Sequence, residues 1–395
     1  MIARRLTLLS VSAFATMAAL RICDPMLPVL AREFSASTGE AGYAVSSFAL
    51  AYGLALLLFG PLGDRYGKFN VIAFATISCT VGSLACAMAL SLGGLVAARA
   101  LSGIAAAGVT PLAMAWIGDN VPYQRRQEVL AQLIGATTLG LIAGQSLGGV
   151  LADSLGWRSA FVLLALTFAA AGALMLLEVR AQDRRAAPMA SFAPPLGFSL
   201  ALRVVVRERW ARRMLGFAFL EGVFVFGGLA FLPSHLHYRF GLPMSWAGSV
   251  LVLYGLGGLL YSRCARLLLR RMGETGLARV GGTLLCLYFG VLAMMPAWGW
   301  ALPACLVGGL GFYMLHNTLQ THATQMAPAA RATAVTLFSS SLFMGQSLGV
   351  AGAAAVVNAR SAIPVFAVSA LALLMIAWMF AAQARTAQRY ALAPK

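Results

Sequence analysis

The chain has 395 residues, of which 60% are hydrophobic and only 10% are charged, whereas about a quarter of a soluble globular domain is charged. This composition excludes a water-soluble protein. The 29 Lys and Arg residues outnumber the 12 Asp and Glu residues, which gives a formal net charge of +17. A nucleic-acid groove needs clustered Lys and Arg on a soluble scaffold. Basic residues between long apolar runs indicate membrane loops instead, and no nucleic-acid partner is expected.

Twelve apolar runs are long enough to cross a bilayer, which takes about 20 residues at about 1.5 Å per residue. The first six predicted spans are Leu6–Ala31, Gly42–Gly63, Val71–Leu90, Leu92–Ile117, Glu128–Ala152 and Arg158–Leu177. The last six are Met214–Leu236, Ser245–Leu268, Leu277–Met295, Ala301–Thr324, Thr333–Val357 and Ile363–Ala382. The sequence therefore predicts an all-α polytopic membrane protein with twelve transmembrane helices.

The spans fall into two sets of six. Residues 1–178 form the predicted N-terminal bundle, and residues 214–395 form the C-terminal bundle and a cytoplasmic tail. Residues 179–213 are a cytoplasmic linker, in which Leu200–Trp210 carries Arg203, Arg207 and Arg209 and is apolar on one side and basic on the other. Such a segment is typical of a helix that lies at the membrane interface.

The distribution of basic residues predicts the orientation. With a cytoplasmic N-terminus, only Arg32, Arg158, Arg239 and Arg360 face outward, and Arg21 and Arg99 lie within spans. This satisfies the positive-inside rule, so both termini are predicted to be cytoplasmic in a multi-pass protein of the bacterial inner membrane. All six cysteines fall inside spans, so neither a disulfide framework nor a thiolate metal site is indicated. No metal or other cofactor is expected.

An internal repeat relates the two bundles. Gly144-Gln145-Ser-Leu-Gly148 in span 5 recurs as Gly345-Gln346-Ser-Leu-Gly349 in span 11. Two weaker echoes have nearly the same offset: 60–65 with 258–263, and Leu-Pro at 27–28 with Leu-Pro at 232–233. Duplicated bundles are common among transporters, and the echoes predict two six-helix pseudo-repeats.

Two segments carry a family resemblance. The run Gly60-Pro-Leu-Gly-Asp64-Arg65-Tyr-Gly67-Lys68 resembles the loop between the second and third helices of the major facilitator superfamily, although Phe69 stands at the last basic position. Arg99-Ala-Leu-Ser-Gly103 is similar to a second superfamily motif. The resemblance implies alternating access, in which two halves rock around a central cavity lined by spans 1, 4, 7 and 10.

The loop at 60–68 has two interpretations. Gly60 and Gly67 permit a tight turn, Asp64 can cap a helix, and basic residues keep the loop in the cytoplasm. The resemblance implies in addition a conformational latch, in which Asp64, Arg65 and Lys68 hold the halves together in one state. We favour the latch.

Span 5 resembles the drug:proton antiporter branch only in part. The branch has a Gly-Pro pair where this chain has Gly144-Gln145, and Gly148 and Gly149 follow. Glycines at this spacing permit close helix packing. Gln145 and Gln346 need hydrogen-bond partners inside the membrane, which indicates contacts between helices or halves.

Ionisable residues at membrane depth cost about 2.5–3.5 kcal/mol on insertion scales, so each needs an explanation. Arg21 and Asp24 are three residues apart and share a face of span 1. They form either a structural ion pair or part of a proton or substrate site, in which Arg99 would help to keep Asp24 ionised. Glu221 has no cation within one turn of its own helix, so burial favours its neutral form and makes it the leading proton carrier.

Span 10 adds polar residues. His316 and Gln320 are four apart on one face, with Asn317 beside them, and they are interpreted as cavity lining because a metal site needs more ligands. Aromatic residues within spans, including Phe226, Tyr254 and Phe312, are candidates for an amphipathic cavity, although most such residues only pack.

These features predict a secondary active transporter, a monomer that exchanges protons for small amphipathic organic compounds or drugs. The alternative is a proton symporter or facilitator for a polar or anionic metabolite, which Arg21, Arg99 and His316 favour. A membrane enzyme or sensor is disfavoured, because the chain has no catalytic triad, nucleotide loop or soluble domain.

Overall fold

The computed structural model describes residues 2–183 and 198–392, and the described part is helical without strands. The N-terminal helices are Ile2–Arg21, Leu27–Glu33, Thr38–Ala41, Tyr43–Tyr66, Lys68–Ala87, Leu92–Ala106, Thr110–Asn120, Tyr123–Ser154 and Trp157–Asp183. The C-terminal helices are Phe198–Arg207, Arg209–Phe240, Met244–Met294, Ala301–Ala323, Arg331–Ala359 and Ile363–Leu392. Linker residues 184–197 and tail residues 393–395 lie outside the described ranges.

The twelve-span prediction is confirmed. Eleven helical stretches in the described ranges are long and apolar enough to cross a membrane. The longest, Met244–Met294, is two helices joined at Gly273, whose φ of 65° and ψ of 176° are not helical. These two are spans 8 and 9, so the count is twelve. The face on which span 1 begins and span 12 ends is called the termini face here, and the opposite one the distal face.

Two spans are broken by proline. Span 1 ends its first segment at Arg21 and continues through the 3-10 turn Asp24–Met26 into Leu27–Glu33. Pro25 and Pro28 lie in these pieces and have no backbone N–H to donate to a continuous helix. Span 4 is interrupted before Thr110–Asn120, whose second residue is proline.

Glycine contacts demonstrate the pseudo-repeat in spans 5 and 11. A Cβ atom on Gly144 would collide with the carbonyl oxygen of Ala18 in span 1. A Cβ atom on Gly345 would collide in the same way with the carbonyl oxygen of Phe219 in span 7. Along the chain, Gly345 follows Gly144 by as many residues as Phe219 follows Ala18. Spans 1 and 5 therefore pack as spans 7 and 11 do.

The repeat in spans 2–4 has a different register from the sequence echo. Gly103 packs on the backbone of Phe48, and Gly309 packs on that of Tyr254. Along the chain, Gly309 follows Gly103 by as many residues as Tyr254 follows Phe48. Gly273 follows Gly67, which has a φ of 85°, by the same number of residues. Segment 60–65 therefore corresponds to a stretch eight residues beyond 258–263. The two glycines with positive φ, a conformation that favours glycine, define the register of the repeat better than the identities of the surrounding residues do.

The halves meet along spans 2 and 11 and along spans 5 and 8. Three hydrogen bonds join them towards the distal face: Thr38 to Tyr238, Gly39 N to Asn358, and Ser245 N to Asp153. Two more lie deeper in the membrane, from Ser340 Oγ to the carbonyl of Gly53 and between Tyr313 of span 10 and Thr138 of span 5. These bonds hold the halves together at the distal face.

The linker contains the predicted amphipathic helix, observed as Phe198–Arg207. Its Ala201 and Val205 are buried, and Arg203 and Arg207 are exposed. The helix packs against spans 7 and 11 at the termini face. Its apolar side therefore packs against the C-terminal half.

Candidate functional site

The break in span 1 places an ion pair inside the N-terminal half. Arg21 Nη1 donates to Asp24 Oδ2 at 3.1 Å, and the two side chains are 4% and 0% exposed. The side chain of Gln145 in span 5 lies next to the Asp24 carboxylate. The i,i+3 spacing that suggests this pair in the sequence is the spacing at which two side chains meet on one helix.

Aromatic rings extend from this pair into the C-terminal half. The Arg21 guanidinium lies over the ring of Phe226 at 4.4 Å from its centroid. Phe226 meets Phe312 edge to face at 5.7 Å. Phe312 in turn stacks on the imidazole of His316 at 5.1 Å and an interplanar angle of 15°. Spans 1, 7 and 10 are thereby joined by one continuous series of cation–π and ring contacts.

The series ends at a second buried acid. His316 Nδ1 lies 3.0 Å from Glu221 Oε2, with exposed fractions of 15% and 0%. When Glu221 is ionised, the imidazole N–H donates this hydrogen bond. The contact joins spans 7 and 10, and it supplies the partner that Glu221 lacks within its own helix.

Each of the two acids has one engaged and one free oxygen. Asp24 Oδ1 and Glu221 Oε1 are buried and have no hydrogen-bond partner. An unpaired carboxylate oxygen in a dry environment is costly. Each free oxygen can therefore accept a proton or a hydrogen bond from a bound molecule. We refer to Arg21, Asp24, Phe226, Phe312, His316 and Glu221 as the central cluster.

Arg99 lies apart from the central cluster. Its Nε donates to the carbonyl of Ala44 at 2.9 Å, and its Nη1 donates to that of Ala19 at 2.8 Å. Its guanidinium covers the ring of Phe48 at 4.2 Å. Arg99 is 1% exposed, so it ties spans 1, 2 and 4 together inside the N-terminal half.

The remaining polar candidates are dispersed. Asn317 lies beside Tyr261 of span 8, and Gln320 is exposed one turn beyond His316 towards the termini face. Gln346 is fully buried, and both of its amide atoms lack a hydrogen-bond partner. Its backbone nitrogen lies close to Gly222, the residue after Glu221.

Span 5 also contributes glycines to the contact between halves. Gly148 packs on the carbonyl of Ile22 next to Pro25, and Gly149 packs on the backbone of Met244 in span 8. Because a Cβ at either position would meet backbone, these glycines set the distance between spans 1, 5 and 8.

The loop between spans 2 and 3 is held by charges of its own half. Lys68 Nζ lies 3.1 Å from Asp64 and 2.8 Å from Asp119 at the end of span 4. Arg65 lies over the ring of its neighbour Tyr66, and a Cβ on Gly60 would meet nothing within 4 Å. None of the ion pairs found in the described ranges joins this loop to the C-terminal half.

In the equivalent loop of the C-terminal half, an acid takes the place of Lys68. This residue, Glu274, lies 3.0 Å from His322 at the end of span 10. In both halves the first residue after the positive-φ glycine thus contacts the end of the fourth helix of its six-helix unit. In residues 2–183 and 198–392, no group of three or more metal-ligating side chains occurs.

Sequence comparison identifies the family. The profile of the Major Facilitator Superfamily matches residues 9–350. The chain belongs to this superfamily. Its relatives include the inner membrane transport protein YnfM of Escherichia coli, 30% identical over 65% of this chain and 60% of YnfM. The uncharacterized MFS-type transporter YceJ of Bacillus subtilis is 25% identical over 83% of both chains. The drug efflux pump JefA of Mycobacterium tuberculosis is 30% identical over 40% of this chain and 32% of JefA.

Solved structures of other transporters show the same fold. A nucleoside transporter, NupG in its D323A form, has a TM-score of 0.76 at 16% identity and covers 96% of this chain and 98% of its own. An inward-facing bacterial homologue of the lysosomal transporter Spinster has a TM-score of 0.71 at 17% identity, with 96% and 95% covered. These likenesses establish the twelve-helix, two-repeat superfamily fold of this chain.

Proposed function

We propose that this superfamily member is a proton-coupled exporter of small amphipathic organic compounds that works by alternating access. The observation that carries the proposal is the continuous contact series from Asp24 in one half to Glu221 in the other. Two buried acids, each with an unpartnered oxygen, are linked by rings that cross the boundary between halves. A change in protonation at either acid alters contacts on which the relative position of the halves depends.

Glu221 is the proposed proton carrier, and Asp24 is its counterpart in the N-terminal half. Protonation of Glu221 weakens its charge-assisted contact with His316, and His316 is stacked on Phe312. The stack leads through Phe226 to Arg21, which is held by Asp24. Loss or gain of one proton in span 7 can therefore bias the packing of span 1 against spans 7 and 10.

The ring surfaces support an amphipathic substrate. Phe226, Phe312 and Tyr254 supply apolar and π surface, while Glu221 supplies a localised negative group. Flat cations bind favourably to such a combination. JefA, a relative whose name describes a drug efflux pump, is consistent with this substrate class.

The proposed orientation puts the termini face in the cytoplasm of a bacterium, with the chain in the inner membrane. Arg4, Arg5, Arg65 and Lys68 mark this face. In this proposed orientation, the three hydrogen bonds that join the halves at the distal face support a state closed to the outside. The proposed transporter is a monomer, since one chain contains both halves.

The alternative is a proton symporter or facilitator for a polar or anionic metabolite. Arg21 is the observation that favours it, because its guanidinium lies at the boundary between the halves and could accept an anionic substrate. In this structure that guanidinium already contacts Asp24 and Phe226, and Arg99 is bonded to backbone carbonyls.

A reconstitution experiment distinguishes the two. Proteoliposomes with the membrane potential clamped at zero receive a permanently charged quaternary ammonium dye, which a pH gradient alone does not trap. An antiporter accumulates the dye in vesicles with an acidic interior, because protons leave as the dye enters. A symporter accumulates its substrate, tested with an aromatic sulfonate, in vesicles with an alkaline interior. Uptake of either probe that is independent of the gradient contradicts proton coupling, and protein-free liposomes provide the blank.

A further inference from the structure

A cavity lies at the distal face, away from the central cluster. It has a volume of about 500 Å³, within the range of small-molecule sites. Ser37 and Thr38 contribute its N-terminal wall, and the ends of spans 7 and 11 and the start of span 12 contribute the rest. His235, which lines it, is 14 residues along span 7 from Glu221, or about 21 Å at the helical rise.

The cavity is positively charged. Arg239 and Arg360 line it, and no acidic side chain does. In the described ranges neither arginine forms an ion pair, and Arg239 only lies over the ring of Phe240. The nearest acid along the N-terminal wall, Glu40, is already bound by the backbone N–H and hydroxyl of Ser37. The first residue of span 12, Ile363, also lines the cavity, and helix N-termini favour anions.

Two buried polar side chains in its wall lack partners. His235 is 7% exposed and Ser234 is 2% exposed. His235 Nε2 and Ser234 Oγ have no hydrogen-bond partner, although the two residues line the cavity. Buried polar groups are normally satisfied. A bound molecule with hydrogen-bonding oxygens would provide what these two atoms lack.

We propose that this distal cavity binds a small organic anion, a carboxylate or phosphate carried on an apolar body. Arg239 and Arg360 hold the anionic group, and His235 and Ser234 donate hydrogen bonds to it. Val357 and Ile363 cover the apolar part. The site differs from the proposed transport site in position and in charge.

Binding at this cavity favours one state of the protein. Its walls come from both halves, which are joined beside it by the Thr38–Tyr238 and Gly39–Asn358 hydrogen bonds. Opening of the distal face separates these walls and dismantles the site. An anion bound here therefore stabilises the state closed at the distal face.

Calorimetry on the full-length protein tests the site without reference to transport. Salicylate is titrated into protein in nanodiscs of zwitterionic lipid. The expected result is saturable binding, with affinity at least about ten-fold weaker in the Arg239→Gln/Arg360→Gln variant, a loss of about 1.4 kcal/mol, because both cations that hold the anion are removed. Arg32→Gln, which changes an exposed arginine of the distal face outside the cavity, keeps wild-type affinity.

Further variants keep the test decisive. If the double variant does not remain monodisperse, the single substitutions Arg360→Gln and His235→Gln are titrated instead, and each is expected to weaken binding. Absence of saturable binding in wild-type protein, or equal affinity in all variants, overturns the proposal. The measurement is repeated in nanodiscs that contain anionic phosphatidylglycerol, which shows whether a lipid headgroup supplies the anion at this cavity. Stabilisation by that lipid without any binding of free salicylate contradicts a soluble organic anion.

Discussion

Glu221 and His316 lie 95 residues apart in the chain and 3.0 Å apart in the structure. Their contact connects span 7 to span 10 at the point where ring contacts cross from the C-terminal half to Arg21. A carboxyl group that has no partner within its own helix thereby acquires a titratable one from another.

Substitution of Glu221 by Gln is expected to remove proton coupling. The amide retains the shape and one hydrogen bond but cannot bind and release a proton at the working pH. Uptake driven by a pH gradient should fall to the level of protein-free vesicles, while exchange of labelled for unlabelled substrate continues. Glu208→Gln, at the exposed start of span 7, serves as the control. Unchanged pH dependence in Glu221→Gln would contradict its role.

His316→Leu is expected to destabilise the protein. It leaves both oxygens of Glu221 buried without a donor, which costs about 1–3 kcal/mol. A lower midpoint of thermal unfolding should be seen, and His316→Gln should recover part of the loss by restoring an N–H donor. His322→Leu offers a comparison, because its partner Glu274 is 36% exposed and can be solvated. Equal midpoints for both leucine variants would argue against a buried His316–Glu221 bond.

Arg99→Leu is expected to lower stability without altering substrate affinity. The substitution deprives the carbonyls of Ala19 and Ala44 of their side-chain donor, at a cost of about 1–3 kcal/mol. Thermal unfolding should occur at a lower temperature, and the folded fraction should retain the wild-type KM. By contrast, Arg21→Gln should change the KM. A raised KM in Arg99→Leu would place this arginine in the substrate cavity after all.

Gly345→Ala is expected to disrupt the packing of spans 7 and 11. Its new Cβ would collide with the carbonyl oxygen of Phe219, and overpacking of this kind costs about 1–3 kcal/mol. The yield of monodisperse protein and its unfolding temperature report the effect. Gly352→Ala lies on the same span, where a Cβ meets nothing within 4 Å, and should be tolerated. Similar behaviour of both variants would refute the close approach.

Asp64→Asn is expected to leave expression intact and to slow transport several-fold. The substitution removes one of the two acids that hold Lys68, and with it a charge that the loop can exchange between states. Initial rates of uptake in proteoliposomes measure the effect. Glu128→Gln, an exposed change on span 5, is the matched control. Wild-type turnover in Asp64→Asn would reduce the loop to a topological role.

Sequence alone predicted the spans well, because the thickness of the bilayer fixes how many apolar residues a helix needs. It also located the repeat in spans 5 and 11, where close packing requires glycine at matching positions. The register of spans 2–4 was wrong in the sequence echo. In these spans the two halves share backbone contacts and the positive φ of Gly67 and Gly273. The neighbouring residue types are not similar enough to indicate this correspondence.

Within the central cluster, the sequence indicated the Arg21–Asp24 pair, since residues three apart on a helix are neighbours on its surface. Only the tertiary structure decided the rest. The Glu221–His316 contact depends on how spans 7 and 10 pack, and the direction of the Arg99 side chain depends on where the carbonyls of Ala19 and Ala44 lie in spans 1 and 2. Hydropathy fixes which residues lie in the membrane because burial is a property of each segment, whereas the partner of a buried charge is a property of the assembled bundle.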